Sequence, residues 1–429
     1  MAVTGRAALV ALIGTVAALL SASIAGLLTV DGIILAAIAV DLALAAGVRQ
    51  LTLIRSGDTT ILLGQPGTAT LTIGNPGRRP LRGVVRDAWQ PSLQATGPVG
   101  VMIPAGGQVV VNTTLAPTRR GDKAAGRVTV RSMGPLGLAA RQASRAVPWT
   151  VRVLPPFLSR KHLPEKLAIL RQLNGQHRSL IRGQGTEFDS LREYVIGDDV
   201  RSIDWRSAAR RGEVLVRTWR PERDRRIIIV LDTGRTSAGR VAGAPRLDTY
   251  LDAALLLAAI AARAGDRVDL IAVDRQVRAR VLGASRTQVL ATMTDAMAVL
   301  EPELAESDGG LIASTLLAAA RQRCLVVILT DLNSTAMELG LLPAIPLLAA
   351  RYRLLIAAVA DPRVTEMAAA RGDAASVYQA AAAENARAER ARLAARLSQA
   401  GVGVVDAPPD RLPAALADAY LGLKSAGRL

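Results

Sequence analysis

Cysteine, histidine and aromatic residues are scarce in this chain of 429 residues. The single cysteine, Cys324, excludes an internal disulfide bond. With only His162 and His177 beside it, nitrogen and sulfur ligands are too few for a zinc cage or an iron–sulfur cluster. Any metal site would therefore have to use oxygen ligands. Half of the residues are hydrophobic, which excludes a disordered chain.

Lysine is also rare, because only four of the 53 cationic residues are lysine and the rest are arginine. The net charge of +17 is concentrated in residues 49–157, which carry 14 cations and 3 anions, whereas residues 227–429 carry 22 and 21. Nucleic-acid binding would explain a basic stretch, but residues that stack on bases are almost absent from it. GC-rich codons are a sufficient cause of much of the arginine content. We therefore expect a solvated or lipid-facing surface and no nucleic-acid partner.

The amino terminus contains two long apolar runs. Ala7 to Val30 has 24 residues without a charge, which is enough to span a bilayer as a helix. Asp31-Gly32 is typical of a tight turn, and Ile33 to Val48 forms a second apolar run. A signal peptide is the alternative, but the first run is long for one and a second run follows at once. The pattern favours a transmembrane hairpin of two helices.

The charges that flank this hairpin predict its orientation. Arg6 precedes it and Arg49 and Arg55 follow it, so the positive-inside rule places both termini and the soluble domains in the cytoplasm. The basic stretch would then face the anionic lipids of the inner leaflet. Asp41, inside the second run, marks a functional site in the membrane, a helix–helix contact or a short, shallow second helix.

Residues 51–157 have the pattern of a small all-β, sandwich-like domain. Short apolar or alternating runs are separated by turns rich in proline, glycine and asparagine, recurring about every ten residues. The predicted strands are Thr68–Ile73, Gly83–Ala88, Gln108–Leu115, Gly126–Arg131 and Thr150–Leu154. Nothing in this stretch suggests chemistry, so we expect a spacer or docking module.

From residue 227 onward, apolar strands alternate with long helices. Such alternation predicts an α/β domain with a mainly parallel, doubly wound sheet over residues 227–429. The predicted strands are Ile227–Asp232, Arg267–Val273, Val277–Leu282, Cys324–Asp331, Leu354–Asp361 and Gly403–Val405. The predicted helices are Arg246–Arg263, Met337–Arg351, Ser376–Ala400 and Arg411–Lys424.

Two of these strands end in an aspartate, Asp232 and Asp331, at the edge where doubly wound sheets bind ligands. The loop Asp232-Thr233-Gly234-Arg235-Thr236 resembles the metal-ion-dependent adhesion site of von Willebrand factor A-type domains, in which the first loop reads D-x-S-x-S. The resemblance implies Mg²⁺ held by Asp232, Thr236 and Asp331, since Mg²⁺ prefers oxygen ligands.

This sequence departs from the adhesion-site pattern at Gly234, where the first serine would stand, so one hydroxyl ligand is missing. The third loop would fall near Ser307-Asp308, with loose spacing. The alternative is that Asp232 and Asp331 cap loops and helix ends in a fold that has lost its metal.

Residues 183–217 carry a second, denser pattern. The chain reads GQGTEFDSLREYVIGDDVRSIDWRSAARRGEVLVR there. This closely resembles the signature of the bacterial "domain of unknown function 58" family, with Ala208 in place of the usual serine or threonine. The matching residues are Glu187, Phe188, Arg192, Tyr194, Gly197, Asp198, Asp199, Arg201, Asp204, Trp205 and Arg210.

The family resemblance implies an architecture and a partner but no activity. In this family the signature, here within residues 158–226, precedes a von Willebrand A-like domain, and a membrane hairpin with a β-rich region often comes first. The partner implied is a MoxR-type AAA+ ATPase, with which such proteins are commonly encoded.

The signature residues do not have the pattern of a catalytic site. Adjacent carboxylates such as Asp198 and Asp199 seldom flank one glycosidic bond, and the sequence has no Walker loop. Alternating arginines and acids predict an ion-pair network, with Trp205 and Phe188 packed against the sheet. Direct recognition of a partner is the alternative.

We therefore expect a non-enzymatic assembly or adaptor protein, anchored by a hairpin over residues 1–50 and acting with the ATPase through its von Willebrand A-like domain. A metal-dependent adhesion or ligand-binding module outside the cytoplasm is the alternative, and it requires the opposite topology. A hydrolase that depends on Asp199 or Asp204 is a third hypothesis.

Overall fold

The computed structural model describes residues 2–21, 24–180, 187–196, 198–220 and 225–429. The chain divides into two compact units, Met1–Pro156 and Phe157–Leu429. The first unit combines the apolar helices with the β-rich region, and the second combines the signature with the α/β region. The mixed α/β class and the sheet-rich amino-terminal half agree with the sequence prediction.

The first unit begins with a short strand and two apolar helices. These are β1 (Ala2–Val3), α1 (Gly5–Ser21) and α2 (Ile24–Leu44). Among the described residues, α2 alone is both long and apolar enough to cross a membrane. The two helices pack closely, because a Cβ atom on Gly14 would lie 2.7 Å from Cγ1 of Val30.

The predicted turn at Asp31-Gly32 is wrong, because both residues lie inside α2. An Asp-Gly pair favours a turn only through local backbone preference, and a glycine inside a helix costs about 1 kcal/mol. The surrounding run of leucine, isoleucine, alanine and valine outweighs that preference. Instead, α1 ends at Ser21 and α2 begins at Ile24, and residues 22–23 lie outside the described residues.

Nine further strands build two sheets on one apolar core. The larger sheet runs β1-β9-β8-β10-β3, with β5 joined to β8 and to β6, and the smaller sheet runs β2-β4-β7. Leu71 and Val111 of the smaller sheet share a buried cluster with Leu81 and Val130 of the larger one. All five predicted strands overlap observed ones. The ranges are β2 (Thr52–Gly57), β3 (Thr60–Leu62), β4 (Gly67–Gly74), β5 (Leu81–Trp89), β6 (Val99–Ile103), β7 (Gln108–Leu115), β8 (Gly121–Met133), β9 (Ala139–Ala146) and β10 (Thr150–Leu154).

Both ends of the helix pair are fastened to the loop Gly134–Ala139 between β8 and β9. Before α1, β1 pairs with β9, and the Thr4 hydroxyl donates to the Gly137 carbonyl oxygen at 2.6 Å. In the last turns of α2, the buried Asp41 carboxylate accepts three backbone N–H groups of this loop, each at 2.7 Å. Asp41 therefore joins α2 to the β sheets, a role that differs from those considered from the sequence.

The second unit begins with α3 (Leu163–Leu180) and the signature. Its two strands pair as an antiparallel hairpin, and a short helix lies between them. These elements are β11 (Glu187–Glu193), α4 (Trp205–Arg211) and β12 (Leu215–Arg220).

The rest of the unit is a six-stranded sheet in the order β17-β16-β13-β18-β19-β20, with β14 and β15 forming a separate small hairpin. Only the edge strand β17 pairs in antiparallel fashion, whereas the other five run parallel. The strands are β13 (Arg226–Asp232), β14 (Arg240–Val241), β15 (Ala244–Pro245), β16 (Arg267–Val273), β17 (Val277–Val281), β18 (Leu325–Leu329), β19 (Arg353–Val359) and β20 (Gly403–Ala407). The helices are α5 (Arg235–Ala238), α6 (Arg246–Arg263), α7 (Val289–Ala298), α8 (Gly309–Ala319), α9 (Ser334–Leu339), α10 (Ile345–Arg351), α11 (Pro362–Ala369), α12 (Ala374–Gln399) and α13 (Leu412–Ser425).

Helices cover both faces of this sheet because side chains alternate along each strand. Ile227 and Ile229 of β13 belong to the core beneath α6 and α13, whereas Ile228 and Val230 belong to the core beneath α8, α10 and α12. The predicted helix Met337–Arg351 is wrong as one element. It is divided into α9, a 3-10 turn and α10, with Gly340 at the end of α9 and proline at the start of the next two segments.

Candidate functional site

The carboxyl ends of β13 and β18 bring Asp232 and Asp331 to one edge of the sheet. The two strands pair in parallel register, with Leu231 opposite Leu329, so Asp232 lies beside Thr330. Together with Thr236 and Ser307, the two aspartates line a cleft whose apolar wall comes from Ile312, Met337 and Leu341. The candidate metal ligands predicted from the sequence therefore do meet in space.

The Asp232 carboxylate is almost enclosed, with 5% of the residue exposed. It accepts hydrogen bonds from the Thr330 hydroxyl at 2.5 Å, the Gly234 backbone N–H at 2.8 Å, the Thr236 hydroxyl at 3.4 Å and the Ser307 hydroxyl. Burial raises the pKa of Asp232, and these hydrogen bonds act in the opposite direction. Each oxygen of this carboxylate is thus occupied by donors from the chain itself.

Ser307 occupies the space next to Gly234. A Cβ atom on Gly234 would lie 2.2 Å from the Ser307 Oγ atom and 2.9 Å from the Ala305 carbonyl oxygen. The hydroxyl that the first loop lacks is therefore supplied by a residue 73 positions further along the chain (307 minus 234). From the sequence, the loose spacing of Ser307-Asp308 was the only indication of this contact.

Asp331 is held by two arginines that the sequence interpretation missed. Nη1 of Arg390 on α12 donates to Oδ1 of Asp331 at 2.8 Å, and Nη1 of Arg246, at the start of α6, lies 3.5 Å from Oδ2. The same Arg390 guanidinium binds Asp406 of β20 at 2.7 and 2.9 Å and donates to the Val359 carbonyl oxygen of β19 at 3.0 Å. No local motif marks either arginine, because their partners are distant in sequence.

This arrangement fits a divalent cation poorly. Two guanidinium groups lie against the carboxylate that would have to coordinate the metal, and like charges at that distance repel. Asp232 is already supplied with hydrogen-bond donors. Within the described residues, no three His, Cys, Asp or Glu side chains are placed to hold one ion.

The signature forms a second candidate site, built on the β11–β12 hairpin. Arg192 makes a two-pronged ion pair with Asp198, with N–O distances of 2.5 and 2.7 Å. Asp199 accepts the Arg201 backbone N–H at 3.0 Å and so begins a 3-10 turn. Internal polar contacts therefore fix the loop between β11 and α4.

Asp204 has two structural contacts in this region. It caps α4 by accepting the Ser207 backbone N–H at 3.0 Å, and it pairs with Arg217 of β12 at 2.9 Å. The Ser207 hydrogen bond, followed by the Arg217 guanidinium, holds the pKa of Asp204 below its usual value. These contacts account for Asp204 without a catalytic role.

The expectation that Trp205 packs against the sheet is wrong, because 66% of this residue is exposed. Tyr194 is exposed as well, and so are three aliphatic neighbours: Val195 at 61%, Ile196 at 96% and Val200 at 61%. Alternation of charged and apolar residues could not distinguish a buried tryptophan from one presented to solvent.

The remaining signature residues divide into two groups. Arg201 and Arg210 are exposed, and neither guanidinium has an ion pair with a described residue. The backbones of Glu187 and Phe188 lie in β11, but their side chains are outside the described part of the chain, as is Gly197. The name signature surface is used below for a set of exposed side chains within residues 195–210, those of Val195, Ile196, Val200, Arg201, Trp205 and Arg210.

Comparison with known proteins finds relatives whose descriptions name no activity. The chain is 28% identical over 197 residues to the uncharacterized protein Rv1480 of Mycobacterium tuberculosis and equally to the uncharacterized protein Mb1516 of Mycobacterium bovis. The match covers 46% of this chain and 61% of each relative.

Two solved structures resemble parts of the chain only weakly. The CARDB domain of a Pyrococcus furiosus protein is 14% identical and covers 26% of this chain and 90% of that domain, with a TM-score of 0.19. A FixG-related protein from Vibrio parahaemolyticus is 10% identical and covers 25% of this chain and 98% of that protein, with a TM-score of 0.17. At such TM-scores neither bears on the site.

The family model described as "Protein of unknown function DUF58" matches residues 190–400. That span starts inside the signature hairpin and includes Asp232, Asp331 and Arg390. The resemblance noted from the signature is thereby confirmed, since residues 190–400 match the model of the DUF58 family.

Proposed function

We propose that this protein is a membrane-anchored, non-enzymatic adaptor that binds a MoxR-type AAA+ ATPase. The observation that carries the proposal is the signature surface, where Trp205 and Ile196 are presented to solvent in the same short segment as the exposed Arg201 and Arg210. Tryptophan and arginine are the residues most enriched where protein partners bind tightly. The ion pairs of Arg192 with Asp198 and of Asp204 with Arg217 hold the surface in shape.

The strand order supports a von Willebrand A-like, doubly wound domain as the frame for this surface. Numbered within the sheet, the order β17-β16-β13-β18-β19-β20 is 3-2-1-4-5-6, which is a common doubly wound order. An exposed antiparallel strand β17 at one edge and helices on both faces agree with that assignment. The adhesion alternative receives no support from the site, since Arg246 and Arg390 occupy Asp331.

The anchor proposed is a hairpin of α1 and α2. With 21 residues, α2 is about 31 Å long, and the 17 residues of α1 extend about 25 Å. Gly14 allows close packing of the two helices, a common feature of membrane helix pairs. Because Thr4 and Asp41 bind the same loop, both ends of the hairpin lie on the side of the β sheets.

Arginines surround the carboxyl-terminal end of α2. Nε of Arg141 donates to the Leu42 carbonyl oxygen at 3.0 Å, Arg79 donates to the Ala43 carbonyl oxygen, and Arg145 donates to the Leu51 carbonyl oxygen at 2.7 Å. At the end of a membrane helix these cations would meet anionic lipid headgroups. This supports a cytoplasmic location for both termini and for the soluble units.

The adaptor proposal is tested by measuring the affinity of the full-length chain, in nanodiscs, for a purified MoxR-type ATPase with Mg²⁺ and ATP. We expect Trp205→Ala to weaken binding at least about tenfold, the scale of an interface hot spot. Leu347→Ser removes an exposed aliphatic group of α10, 56% exposed, and serves as the matched control. Absence of wild-type binding, or equal loss in the control, contradicts the proposal.

The orientation is tested separately with reporters fused after Leu429. A fluorescent protein that folds in the cytoplasm should be bright, and alkaline phosphatase at the same place should be inactive. Active phosphatase would place the second unit outside the cytoplasm and overturn the proposed topology.

A further inference from the structure

The cleft between Asp232 and Asp331 lies where an adhesion-type domain would hold its metal ion. In this cleft the positive charge comes from arginine side chains. In such a site, one dication neutralises carboxylates from neighbouring strand ends. Here the carboxylate of Asp331 is neutralised by Arg390 at 2.8 Å and by Arg246 at 3.5 Å. Both guanidiniums are largely enclosed, with about one fifth of each side chain exposed (20% and 19%).

The contacts of Arg390 extend across three neighbouring strand ends. It binds Asp331 after β18, the Val359 carbonyl oxygen in β19 and Asp406 in β20. A metal ion also joins neighbouring strand ends when oxygen atoms from several loops coordinate it. A planar guanidinium performs it through hydrogen bonds that point in fixed directions and that a carboxylate can accept in pairs.

The other half of the cleft is also complete without an ion. The Asp232 carboxylate accepts donors from Gly234, Thr236, Ser307 and Thr330. For Mg²⁺ to bind, the hydroxyl groups would have to turn their hydrogens away and present lone pairs instead. The cation would also have to approach to within coordination distance of carboxylates that guanidiniums already contact.

We infer that the guanidinium groups of Arg246 and Arg390 take the place of a divalent cation, so that the carboxylates at this sheet edge are satisfied without metal. The inference rests on the side chains of the cleft alone and does not depend on the proposed partner. It predicts that divalent metal does not change the stability of the wild-type protein. It also predicts that removal of Arg390 or Arg246 creates a position that a divalent cation can occupy.

The test is thermal unfolding of the purified full-length chain in nanodiscs, with millimolar MgCl₂, MnCl₂ or EDTA. The wild-type transition that reports the second unit should stay within about 1 °C under all three conditions, since a ligand that does not bind cannot stabilise. Arg390→Gln should lower that transition by about 5 °C or more, because Asp331 and Asp406 lose their buried partner. Mg²⁺ should then recover part of the loss.

The matched control is Arg396→Gln, which removes an exposed ion pair with Glu338 and lies six residues after Arg390 on α12. It should change neither the transition nor the metal response. Where Arg390→Gln does not fold, Arg246→Gln serves for the same comparison.

Either of two outcomes overturns the inference. The first is a wild-type transition that rises with Mg²⁺ and loses that response in Asp331→Asn. The second is a folded arginine variant that ignores Mg²⁺. Since no ATPase is present, neither outcome bears on partner binding.

Discussion

Arg55 and Asp87 form a buried ion pair between the two sheets of the first unit. The side chains are 0% and 2% exposed, and the arginine also lies 5.1 Å above the centre of the Trp89 ring. Asp87 accepts the Trp89 indole N–H at 2.9 Å, so one carboxylate organises two large side chains. The pair lies in the basic stretch of residues 49–157, which carries 14 cations and 3 anions.

Arg55→Met should lower the free energy of unfolding by about 3–5 kcal/mol, because it leaves Asp87 charged and buried without its partner. Urea denaturation followed by tryptophan fluorescence measures the change. The control is Arg152→Gln, whose exposed pair with Asp122 should be worth less than about 1 kcal/mol. Equal effects of the two substitutions would show that burial does not determine the value of these pairs.

Asp41→Ala should loosen the helix pair from the β sheets. Three backbone N–H groups of the loop Gly134–Ala139 lose their acceptor, at a cost of about 3 kcal/mol in all. Limited proteolysis in nanodiscs should then cleave this loop faster. Asp31→Asn changes an exposed carboxylate on the same helix and should leave the cleavage rate unchanged. Unchanged cleavage in Asp41→Ala would contradict the proposed joint.

Gly234→Ala should destabilise the second unit by about 1–3 kcal/mol, because its Cβ atom would collide with Ser307 Oγ and approach the Ala305 carbonyl oxygen. Ser307→Gly in the same chain should relieve part of this loss, although it also removes one donor to Asp232. Chemical denaturation of the single and double variants gives the coupling energy. If the two changes are additive, the two residues do not compete for space.

Stability should depend on pH through Asp232. Since burial raises its pKa in the folded state, its contribution is fully present below the unfolded value of about 4 and is lost as the pH rises through the folded value. Asp232→Asn cannot ionise. The deficit of this variant relative to wild type should therefore shrink as the pH rises from acid to neutral.

Asp373 provides a comparison of opposite sign. It caps α12, and hydrogen bonds from the Ser376 hydroxyl and backbone N–H lower its pKa. Its contribution is present above the unfolded value and is lost as the pH falls through the folded one. The deficit of Asp373→Asn should therefore shrink on acidification. If the stability deficits of Asp232→Asn and Asp373→Asn changed with pH in the same direction, burial could not be the cause of the Asp232 effect.

The six strands of the sheet in residues 227–429 and the helices α6, α12 and α13 could be predicted because their signals are local, whereas the 18-residue helix α3 was not predicted. Ile227–Asp232 and Arg246–Arg263 are runs whose apolar pattern persists over the whole element, and the structure reproduces them within one residue. The turn at Asp31-Gly32 failed because a two-residue preference competes with a helix of 21 residues. The helices α7, α8 and α11 were not predicted, since each has 11 residues or fewer.

The candidate cleft could be predicted only in part. Asp232 and Asp331 were identifiable because parallel strands end at one sheet edge. Arg390 was not, because its partners lie 59 and 16 positions away and reach it only through the packing of α12. The exposure of Trp205 was equally hidden, since whether a side chain is covered depends on residues outside its own segment.

The loop Gly134–Ala139 determines how a force on the β sheets reaches the two helices. Because it holds Thr4 before α1 and Asp41 at the end of α2, the β sheets are joined to the helices at two points and not through a flexible tether. A force on these sheets would act on the helix pair directly, through both attachments. It would not first have to extend a flexible linker. Two attachments also mean that breaking either one alone leaves the helices joined to the sheets.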